Sequence, residues 1–342
     1  MIREISVGVI GCGYWGPNLA RNFDALASVR LDAVCDGRLE RLAHMRKLFP
    51  EARGFQQLGD LLDHTTVDAV AVATSAPSHF EIARTCLLAG KHVCVEKPLA
   101  MAATECDELI RLAREKSLAL MVGHTFLYSP ALRKVRDLIA SGEIGEVRHI
   151  STRRLNLGIV QKDINVVWDL APHDLAIILA LYGEMPHQIN CQGSANLSPG
   201  IHDVANLWLT FPGRRSAAIQ VSWLNPLKTR EVSVVGTRKL IVYDDVSTHD
   251  KVRIFNSRVE APRHYDSFSE FQYAYHYGDV FTPHVEGDEP LRVECQHFVD
   301  CIRDGTSPLT DGVRGRQVVS LIEAANRSLA LHGAPVDMVD FS

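Results

Sequence analysis

A glycine-rich turn between a short apolar run and an amphipathic segment constrains the fold of this chain more than any other feature. Residues 11–16 read G-x-G-x-x-G and directly follow the apolar run Ile5–Ile10. Residues 17–27 place their apolar side chains on one helical face, and a second apolar run, 31–35, leads into Asp36. A strand, a glycine turn, a helix, a second strand and an acid in this order predict a dinucleotide-binding βαβ unit.

Each position of the glycine turn has a physical role in that prediction. Gly11 permits the tight turn, Gly13 lets the backbone approach a diphosphate, and Gly16 permits close packing of the helix on the strand. Tyr14 and Trp15 complete the loop and are predicted to lie beside the cofactor. The N-terminus of the helix then presents free N–H groups and a partial positive charge to the phosphates.

Two residues after the second strand bear on the type of nicotinamide cofactor. The Asp36 carboxylate can accept hydrogen bonds from the ribose hydroxyls and would repel a 2′-phosphate, which favours NAD over NADP. Arg38 complicates this preference, because its guanidinium can turn toward a phosphate instead. The alternative is that the glycines only form a turn and Asp36 is a solvated loop residue. The complete order of five features favours a cofactor site.

Residues 1–123 repeat the alternation of strand and helix. Strands are predicted at 67–74, His92–Glu96 and 119–123, the first being apolar enough to be covered on both faces of a sheet. The S-x-x-E pattern at 78–81 predicts a capped helix that runs to Leu88 and is ended by Gly90, and Thr104 is predicted to cap the next helix. Alternating strands and helices predict an α/β fold with a doubly wound parallel sheet, the Rossmann architecture.

The pattern changes after about residue 124. Helices are predicted at 131–141 and 170–182, and residues 265–279, dense in aromatic side chains, are interpreted as an ordered loop or insertion. Helices at 290–303 and 315–331 close the chain. Strands without intervening helices are predicted at 188–193, 205–211, 217–223, 231–235 and 239–243. We therefore expect a second, α+β domain over residues 124–342, built on a mainly antiparallel open sheet.

Composition excludes several classes of function. A chain of 342 residues suggests two domains, since single cores stop growing at about 250–300 residues. The net charge of −5 offers no basic surface to nucleic acid or a membrane. No apolar run approaches the roughly 18–20 residues that span a bilayer, and the first residues lead straight into a strand pattern without a signal peptide. The eight cysteines lack metal-site spacing, so we expect buried free thiols, no metal site and a cytoplasmic location.

A lysine follows the strand His92–Glu96, in the sequence Glu96-Lys97-Pro98. The carboxyl ends of parallel strands line the ligand crevice of an open sheet, so Lys97 is placed to point at a bound substrate. A lysine there can hydrogen-bond a reacting hydroxyl and stabilise the charge that develops on its oxygen. Taken alone, one lysine at a strand end is more often a solvated surface charge.

An acid and a histidine four residues apart form the second candidate catalytic group. Pro172 fits the first turn of a helix, which predicts a helix that begins near Asp169. Asp169 and His173 then share one helical face, and Asp169 can cap the helix or orient the imidazole ring. The helix N-terminus would keep His173 neutral and able to take a proton. A capped helix with a hydrogen-bonded structural histidine is an equally good interpretation of this segment alone.

Together these residues resemble the glucose–fructose oxidoreductase/inositol dehydrogenase/rhizopine-catabolism (Gfo/Idh/MocA) family over essentially the whole chain. The resemblance is carried by the glycine turn, by Ala73-Thr74 with His79, by Glu96-Lys97-Pro98, by Val122-Gly123-His124 and by Asp169-x-x-x-His173. It implies an NAD(P)-dependent dehydrogenase that acts on a sugar or polyol hydroxyl and forms homodimers or homotetramers through the open sheet.

The resemblance also implies roles for individual residues. Lys97 and His173 would act on the substrate hydroxyl with Asp169 in support, and the Lys97–Pro98 bond would be cis, as it often is in the family. The residues implied to lie near the cofactor, besides those of the glycine turn and Asp36, are Thr74, Ser75, Pro77, His79, Glu96 and Lys97.

The substrate is predicted from where the chain departs from many family members. Bulky and apolar residues at 165–172 replace a glycine-rich stretch, and with Glu289-Pro290-Leu291 and Glu294-Cys295 they resemble a branch linked to bacterial polysaccharide and amino-sugar biosynthesis. This predicts a nucleotide-linked hexose such as a UDP-N-acetylhexosamine, oxidised at C3. The candidate substrate contacts are His124, Tyr128, Arg153, Asn156, His173 and the aromatic stretch near Tyr273.

Three alternatives to that substrate and activity stay open at the level of sequence. The enzyme can be an inositol or free-aldose dehydrogenase, or it can cleave glycosidic bonds through a transient keto sugar with no net change of NAD. A non-catalytic, nucleotide-sensing regulator is the third, although the presence of Lys97, Asp169 and His173 argues against it. Fold alone does not decide between them.

Overall fold

The computed structural model describes residues 4–63, 67–260 and 273–341 of the chain. They form two compact units, the first composed of Met1–Tyr128 and Asp288–Glu323, the second of Ser129–Gly287 and Ala324–Ser342. The first unit thus includes a late segment that a division at residue 123/124 assigns to the second domain. The physical reason is core packing, since Leu291, Cys295 and Phe298 are buried in one cluster with Phe23.

The described residues form strands and helices with the following bounds. The strands are β1 (Ile5–Ile10), β2 (Val29–Cys35), β3 (Arg53–Phe55), β4 (Ala69–Val72), β5 (His92–Glu96), β6 (Leu120–Gly123), β7 (Val147–Leu157), β8 (Gln188–Ser194), β9 (Val204–Phe211), β10 (Arg215–Ser222), β11 (Leu224–Gly236), β12 (Leu240–Asp244), β13 (Val252–Glu260), β14 (Ala274–Phe281) and β15 (Val336–Asp337). The α-helices are α1 (Gly16–Asp24), α2 (Leu39–Leu48), α3 (Leu58–Leu62), α4 (His79–Leu88), α5 (Ala103–Glu115), α6 (Pro130–Ala140), α7 (Val166–Tyr182), α8 (Pro290–Asp304) and α9 (Gly312–Ala330).

The first unit carries a parallel sheet with strand order β3-β2-β1-β4-β5-β6. The order reverses between β1 and β4, which places a ligand crevice at the carboxyl ends of these strands. All residues of β1 and β4 are buried, as expected for strands covered on both faces. The prediction of a doubly wound parallel sheet is confirmed.

The second unit carries a sheet of order β14-β13-β12-β11-β7-β10-β9-β8-β15. Of its described pairings, only β7 with β10 is parallel, and the others are antiparallel. The prediction of a mainly antiparallel sheet is therefore confirmed. The central strand β7 was not predicted, because arginines at 148, 153 and 154 interrupt its apolar pattern.

Several local predictions were wrong. Ser78 is the N-cap residue of α4, which ends at Leu88 as predicted, but its side chain makes no cap hydrogen bond. Thr104 is not a cap, because α5 begins one residue before it, and the Glu105 carboxylate accepts from the backbone N–H groups of Met101 and Ala102. Residues 274–281, interpreted as part of a loop, form strand β14, whereas 265–272 lie outside the described residues.

Two further features concern the chain as a whole, namely its cysteines and the absence of membrane-spanning helices among the described residues. All eight cysteines are buried free thiols, as predicted. Within the described ranges, no helix has the length and apolarity needed to cross a membrane.

Candidate active site

The glycine turn between β1 and α1 is built on positions that a side chain cannot occupy. Gly11 has φ +91°, and a Cβ there would lie 2.7 Å from the carbonyl carbon and oxygen of Ala73, at the end of the neighbouring β4. A Cβ on Gly16 would overlap the carbonyl oxygen of Gly11. Gly13 is different, since the three atoms nearest to a Cβ built there belong to the Arg41 guanidinium, at 3.4–3.9 Å. The turn thus leaves open the side that a diphosphate requires.

Helix α1 begins directly after this turn without a side-chain cap. Trp15 occupies the N-cap position, Pro17 lies in the first turn, and no acidic residue is present in that turn. The N–H groups of Asn18 and Leu19 donate to the Trp15 carbonyl oxygen, and the positive end of the helix, which no side chain caps, favours an anion. Tyr14 is 86% exposed and stacks on the Trp15 ring at 6.4 Å. These features fit a dinucleotide, and contact of Tyr14 and Trp15 with it stays a prediction.

Asp36 follows β2 and ties this strand to the glycine turn. Its Oδ2 accepts from the Cys12 backbone N–H at 2.8 Å, and its Oδ1 accepts from the Arg38 N–H at 2.9 Å. The Arg41 guanidinium donates to Oδ2 at 3.3 Å. Burial acts to raise the pKa of Asp36, but these hydrogen bonds together lower it. The alternative of a solvated loop residue is wrong, because Asp36 is buried.

The loop after β4 is joined to the end of β5 by a buried histidine. His79 Nδ1 lies 2.7 Å from the Pro98 carbonyl oxygen and Nε2 lies 3.1 Å from that of Thr74. Burial lowers the pKa of His79 despite these two contacts. The Ser78 hydroxyl is 2.8 Å from Thr74 Oγ1 and 2.7 Å from the Ser75 carbonyl oxygen, with Pro77 in the short 3₁₀ turn between. The four predicted residues of this loop are thus held in one cluster beside Lys97, and the Lys97–Pro98 bond is cis, as expected.

Glu96 and His124 surround Lys97 within the first unit. Burial raises the pKa of Glu96 to about 7, and the positive charge of Lys97 opposes the rise. The Glu96 Oε1 lies 3.0 Å from where a Cβ of Gly123 would stand, so glycine at 123 makes room for the carboxylate. Burial, with smaller effects of Lys97 and Arg314, lowers the pKa of His124 to about 3. His124 is therefore a neutral ring close to the Lys97 ammonium.

Tyr128 and Glu294 are two further polar side chains in the interior of the first unit. The Tyr128 hydroxyl is 2.9 Å from Thr310 Oγ1, and the side chain is buried. Glu294 is buried as well, and its Oε2 accepts from the Thr125 hydroxyl at 2.7 Å. Burial first, and then the nearby Glu96, raise the pKa of Glu294. The structure therefore gives Tyr128 packing and hydrogen bonding inside the first unit, and its contact with substrate stays a prediction.

Helix α7 of the second unit starts earlier than predicted. Asn165 is its N-cap, and the Oδ1 atom accepts from the N–H groups of Val167 and Trp168 at 3.1 and 3.2 Å. Pro172 consequently lies inside the helix rather than in its first turn. Asp169 is not the cap, and His173 is two turns from the N-terminus, beyond the reach of the helix-end field that was expected to keep it neutral.

Asp169 is held by a buried tryptophan. The Trp223 Nε1–H donates to Asp169 Oδ2 at 2.9 Å, and Trp223 is 1% exposed. Gly158 packs between this ring and Asn156, since a Cβ on it would lie 3.0 Å from Trp223 Cδ1 and 2.9 Å from Asn156 Nδ2. The structure thus joins Asn156 to the group that contains Asp169, with His173 one helical turn along the same face.

Adjacent arginines of β7 have opposite surroundings. Arg154 is buried and forms an ion pair with the buried Asp174 of α7, with Nε 2.7 Å from Oδ2. Successive side chains of a strand alternate between the two faces of the sheet, so Arg153 points away from α7. Its half-exposed side chain pairs with Glu231 at 2.8 Å. Arg153 is thus not brought together with Asp169 and His173, whereas Asn156 lies on the Arg154 face.

Four supporting features were missed at the level of sequence. Arg41 follows Asp36 by five residues within a helical pattern. A search for cationic residues close to Asp36 in the sequence could have found it. Asn165 is a favourable N-cap residue, but the preference of Pro172 for a first turn pointed elsewhere. The Trp223–Asp169 and Arg154–Asp174 pairs join residues distant in sequence and have no local signal.

Both units of the chain are similar to parts of known proteins. Residues 5–124 match the model of an oxidoreductase family with an NAD-binding Rossmann fold, and residues 132–242 match the GFO/IDH/MocA C-terminal domain. UDP-N-acetylglucosamine 3-dehydrogenase of Acidithiobacillus ferrooxidans is 29% identical over 93% of this chain and 95% of its own length. Myo-inositol 2-dehydrogenase of Thermotoga maritima is 24% identical over 94% of this chain and 96% of its own. A solved structure of the Acidithiobacillus ferrooxidans enzyme superposes with a TM-score of 0.82 at 25% identity, covering 96% of this chain and 99% of that one.

Proposed function

Because the chain belongs to the GFO/IDH/MocA family of NAD-binding oxidoreductases, we propose that it transfers hydride between NAD and a hydroxyl-bearing carbon of a nucleotide-linked hexose. A UDP-N-acetylhexosamine, reacting at C3, is the specific substrate class. The observation that supports it is the similarity to a UDP-N-acetylglucosamine 3-dehydrogenase, which extends through both units. An inositol dehydrogenase is the second candidate, supported by the similarity of comparable extent to a myo-inositol 2-dehydrogenase.

In this proposal the first unit binds the cofactor, which supplies the hydride acceptor when bound. Gly11, Gly13 and Gly16 with the N-terminus of α1 hold the diphosphate, and Asp36 lies at the adenosine ribose. The loop of Thr74, Ser75, Pro77 and His79, together with Glu96, lies at the nicotinamide half. Three features support the assignment: the positive φ of Gly11, the open side of Gly13 and the uncapped helix start.

The proton chemistry is assigned to side chains of both units. His173 accepts the proton of the sugar hydroxyl, and Lys97 donates a hydrogen bond to the same oxygen while negative charge develops on it. Asp169, fixed by the Trp223 indole, orients the region around His173. The proposed substrate contacts remain His124, Tyr128, Arg153 and Asn156. Asn156 has the best support among them, because it lies beside Trp223.

Two properties of the protein in the cell complete the proposal. The eight buried free thiols support a reducing, cytoplasmic environment. A homodimer or homotetramer formed through the open sheet of the second unit remains part of the proposal, to be tested by light scattering of the purified protein.

The substrate is tested by incubating the purified protein with NAD and, separately, UDP-N-acetylglucosamine, UDP-N-acetylgalactosamine, myo-inositol and glucose. We expect NADH absorbance at 340 nm to rise with a UDP-sugar and not with the other two compounds. A rise with inositol or glucose alone would replace the nucleotide-sugar assignment by free-polyol metabolism. Release of sugar from a glycoside with no net NADH would replace it by the redox-neutral alternative.

A further inference from the structure

The guanidinium of Arg41 lies where the adenosine ribose of a dinucleotide binds in this type of fold, at the end of β2. Its Nη1 is 3.3 Å from Asp36 Oδ2 and 3.4 Å from the position of a Cβ on Gly13. The Arg41 side chain is 37% exposed, whereas that of Asp36 is 8% exposed. Arg41 is thus the solvent-facing member of the pair, next to the open side of the glycine turn.

Most of the hydrogen-bond acceptor positions of the Asp36 carboxylate are occupied by groups of the chain itself. A carboxylate offers about four acceptor positions, and three are taken here by the N–H groups of Cys12 and Arg38 and by Arg41. An aspartate that selects NAD accepts from both ribose hydroxyls and repels a 2′-phosphate by its charge. Asp36 has too few free positions for the first role, and the Arg41 cation offsets the charge needed for the second.

We propose that Arg41 sets the choice of cofactor: its guanidinium covers the Asp36 carboxylate and binds the 2′-phosphate of NADP, so that the enzyme uses NADP as well as NAD. A guanidinium presents paired N–H donors that match phosphate oxygens, and a partly exposed one can turn from a carboxylate to a phosphate at little cost. This inference rests on the dinucleotide site and not on the identity of the sugar.

Arg38 provides a matched control in the same turn. It is the N-cap residue of α2 and binds Asp36 through its backbone N–H at 2.9 Å, whereas Arg41 binds through its side chain. Truncation of the Arg38 side chain therefore removes a cation from this turn. It leaves in place the Arg38 backbone N–H and the Arg41 guanidinium, which both donate to the Asp36 carboxylate. A difference between the two variants isolates the guanidinium that covers the carboxylate.

The test is isothermal titration calorimetry with AMP and adenosine 2′,5′-bisphosphate, which differ only in the 2′-phosphate, and with NAD and NADP. We expect Arg41→Ala to weaken binding of both 2′-phosphorylated ligands by about ten- to hundredfold, the usual loss for a charged hydrogen bond. AMP and NAD should change by no more than about threefold, the scale of an exposed ionic contact. Arg41→Lys should fall between wild type and Arg41→Ala, and Arg38→Ala should resemble wild type.

Several results would overturn the proposal. One is a wild-type protein that binds NAD but shows no measurable binding of NADP, as expected if an unmasked acid repels the 2′-phosphate. Another is an equal loss of AMP and the bisphosphate in Arg41→Ala, which would indicate stacking on adenine. A loss in Arg38→Ala instead would reassign the role to Arg38. Because binding alone is measured, inactivity toward UDP-sugars would count against the proposed function and leave this inference standing.

Discussion

The glycine turn of the first unit and helix α7 of the second are positioned by different kinds of contact. The turn is determined by main-chain geometry, since a Cβ on Gly11 would meet backbone atoms of Ala73, directly after β4, at 2.7 Å. Helix α7 is held by side chains, through the Arg154–Asp174 ion pair and the Trp223–Asp169 hydrogen bond. A site made by backbone needs glycine at fixed spacings and so leaves a signature in the sequence. A site held by side-chain pairs leaves none.

The largest expected effect belongs to the chemistry assigned to α7. Replacement of His173 by alanine should lower kcat by about 10²–10⁴-fold, the contribution of a general base, because it removes the proposed proton acceptor. The affinity for NAD should stay unchanged, since the cofactor site is built in the first unit. Steady-state kinetics with the substrate found above and calorimetry with NAD measure the two quantities. A variant with full turnover would show that His173 is structural.

The buried ion pair that anchors α7 gives the next effect. Arg154→Ala leaves the Asp174 carboxylate buried without its cation, which should cost about 3–5 kcal/mol of unfolding free energy. Arg153→Ala is the matched control on the neighbouring residue, where a half-exposed pair with Glu231 is worth about 0–1 kcal/mol. Urea unfolding at pH 7 compares the two. Similar losses in both would mean that Arg154 is not what holds the helix.

The contrast between main-chain and side-chain positioning also explains which elements and residues could be predicted from the sequence. Strand β5 was predicted with both of its bounds, and the glycine turn with the tight turn at Gly11 and the close packing at Gly16, because these depend on local pattern. Strand β7 was missed because a buried arginine contradicts a strand pattern unless Asp174 is known to neutralise it. The start of α7 was misplaced because tertiary packing tolerates Pro172 inside a helix.

The glycine turn itself separates folding from binding in a matched pair of variants. Gly11→Ala forces an alanine into φ +91° against Ala73, and should destabilise the protein by at least about 2 kcal/mol. The atoms nearest to the Cβ of Gly13→Ala belong to the movable Arg41 guanidinium at 3.4–3.9 Å, so its unfolding free energy should stay within about 1 kcal/mol of wild type. Its Cβ would nevertheless occupy the room of the diphosphate. Calorimetry should therefore show weaker NAD binding to a stable Gly13→Ala protein, and unchanged affinity would place the phosphates elsewhere.

His124 makes the stability of the first unit depend on pH. Burial lowers its pKa to about 3 in the folded chain, against about 6.5 when unfolded, so the unfolded state binds the proton first as pH falls. The stability from this residue is present above pH 6.5 and is lost progressively below it. From pH 7 to pH 5 the loss should reach about 2 kcal/mol. His124→Gln should remove that part of the slope, and an unchanged slope in urea unfolding from pH 5 to 7 would contradict the assignment.

The last prediction concerns the hydrogen bond between Trp223 and Asp169. Trp223→Phe keeps an aromatic ring in a buried position and removes the indole N–H, 2.9 Å from Asp169 Oδ2, together with part of the ring volume. A hydrogen bond to a charged group contributes about 1.5–3 kcal/mol, so kcat should fall by roughly ten- to hundredfold if Asp169 orients the catalytic region. The NAD affinity should not change, because the indole lies in the other unit. A purely structural role predicts instead a loss of stability with kcat intact. That result would leave His173 to act without Asp169 and would confine the Trp223–Asp169 hydrogen bond to supporting α7.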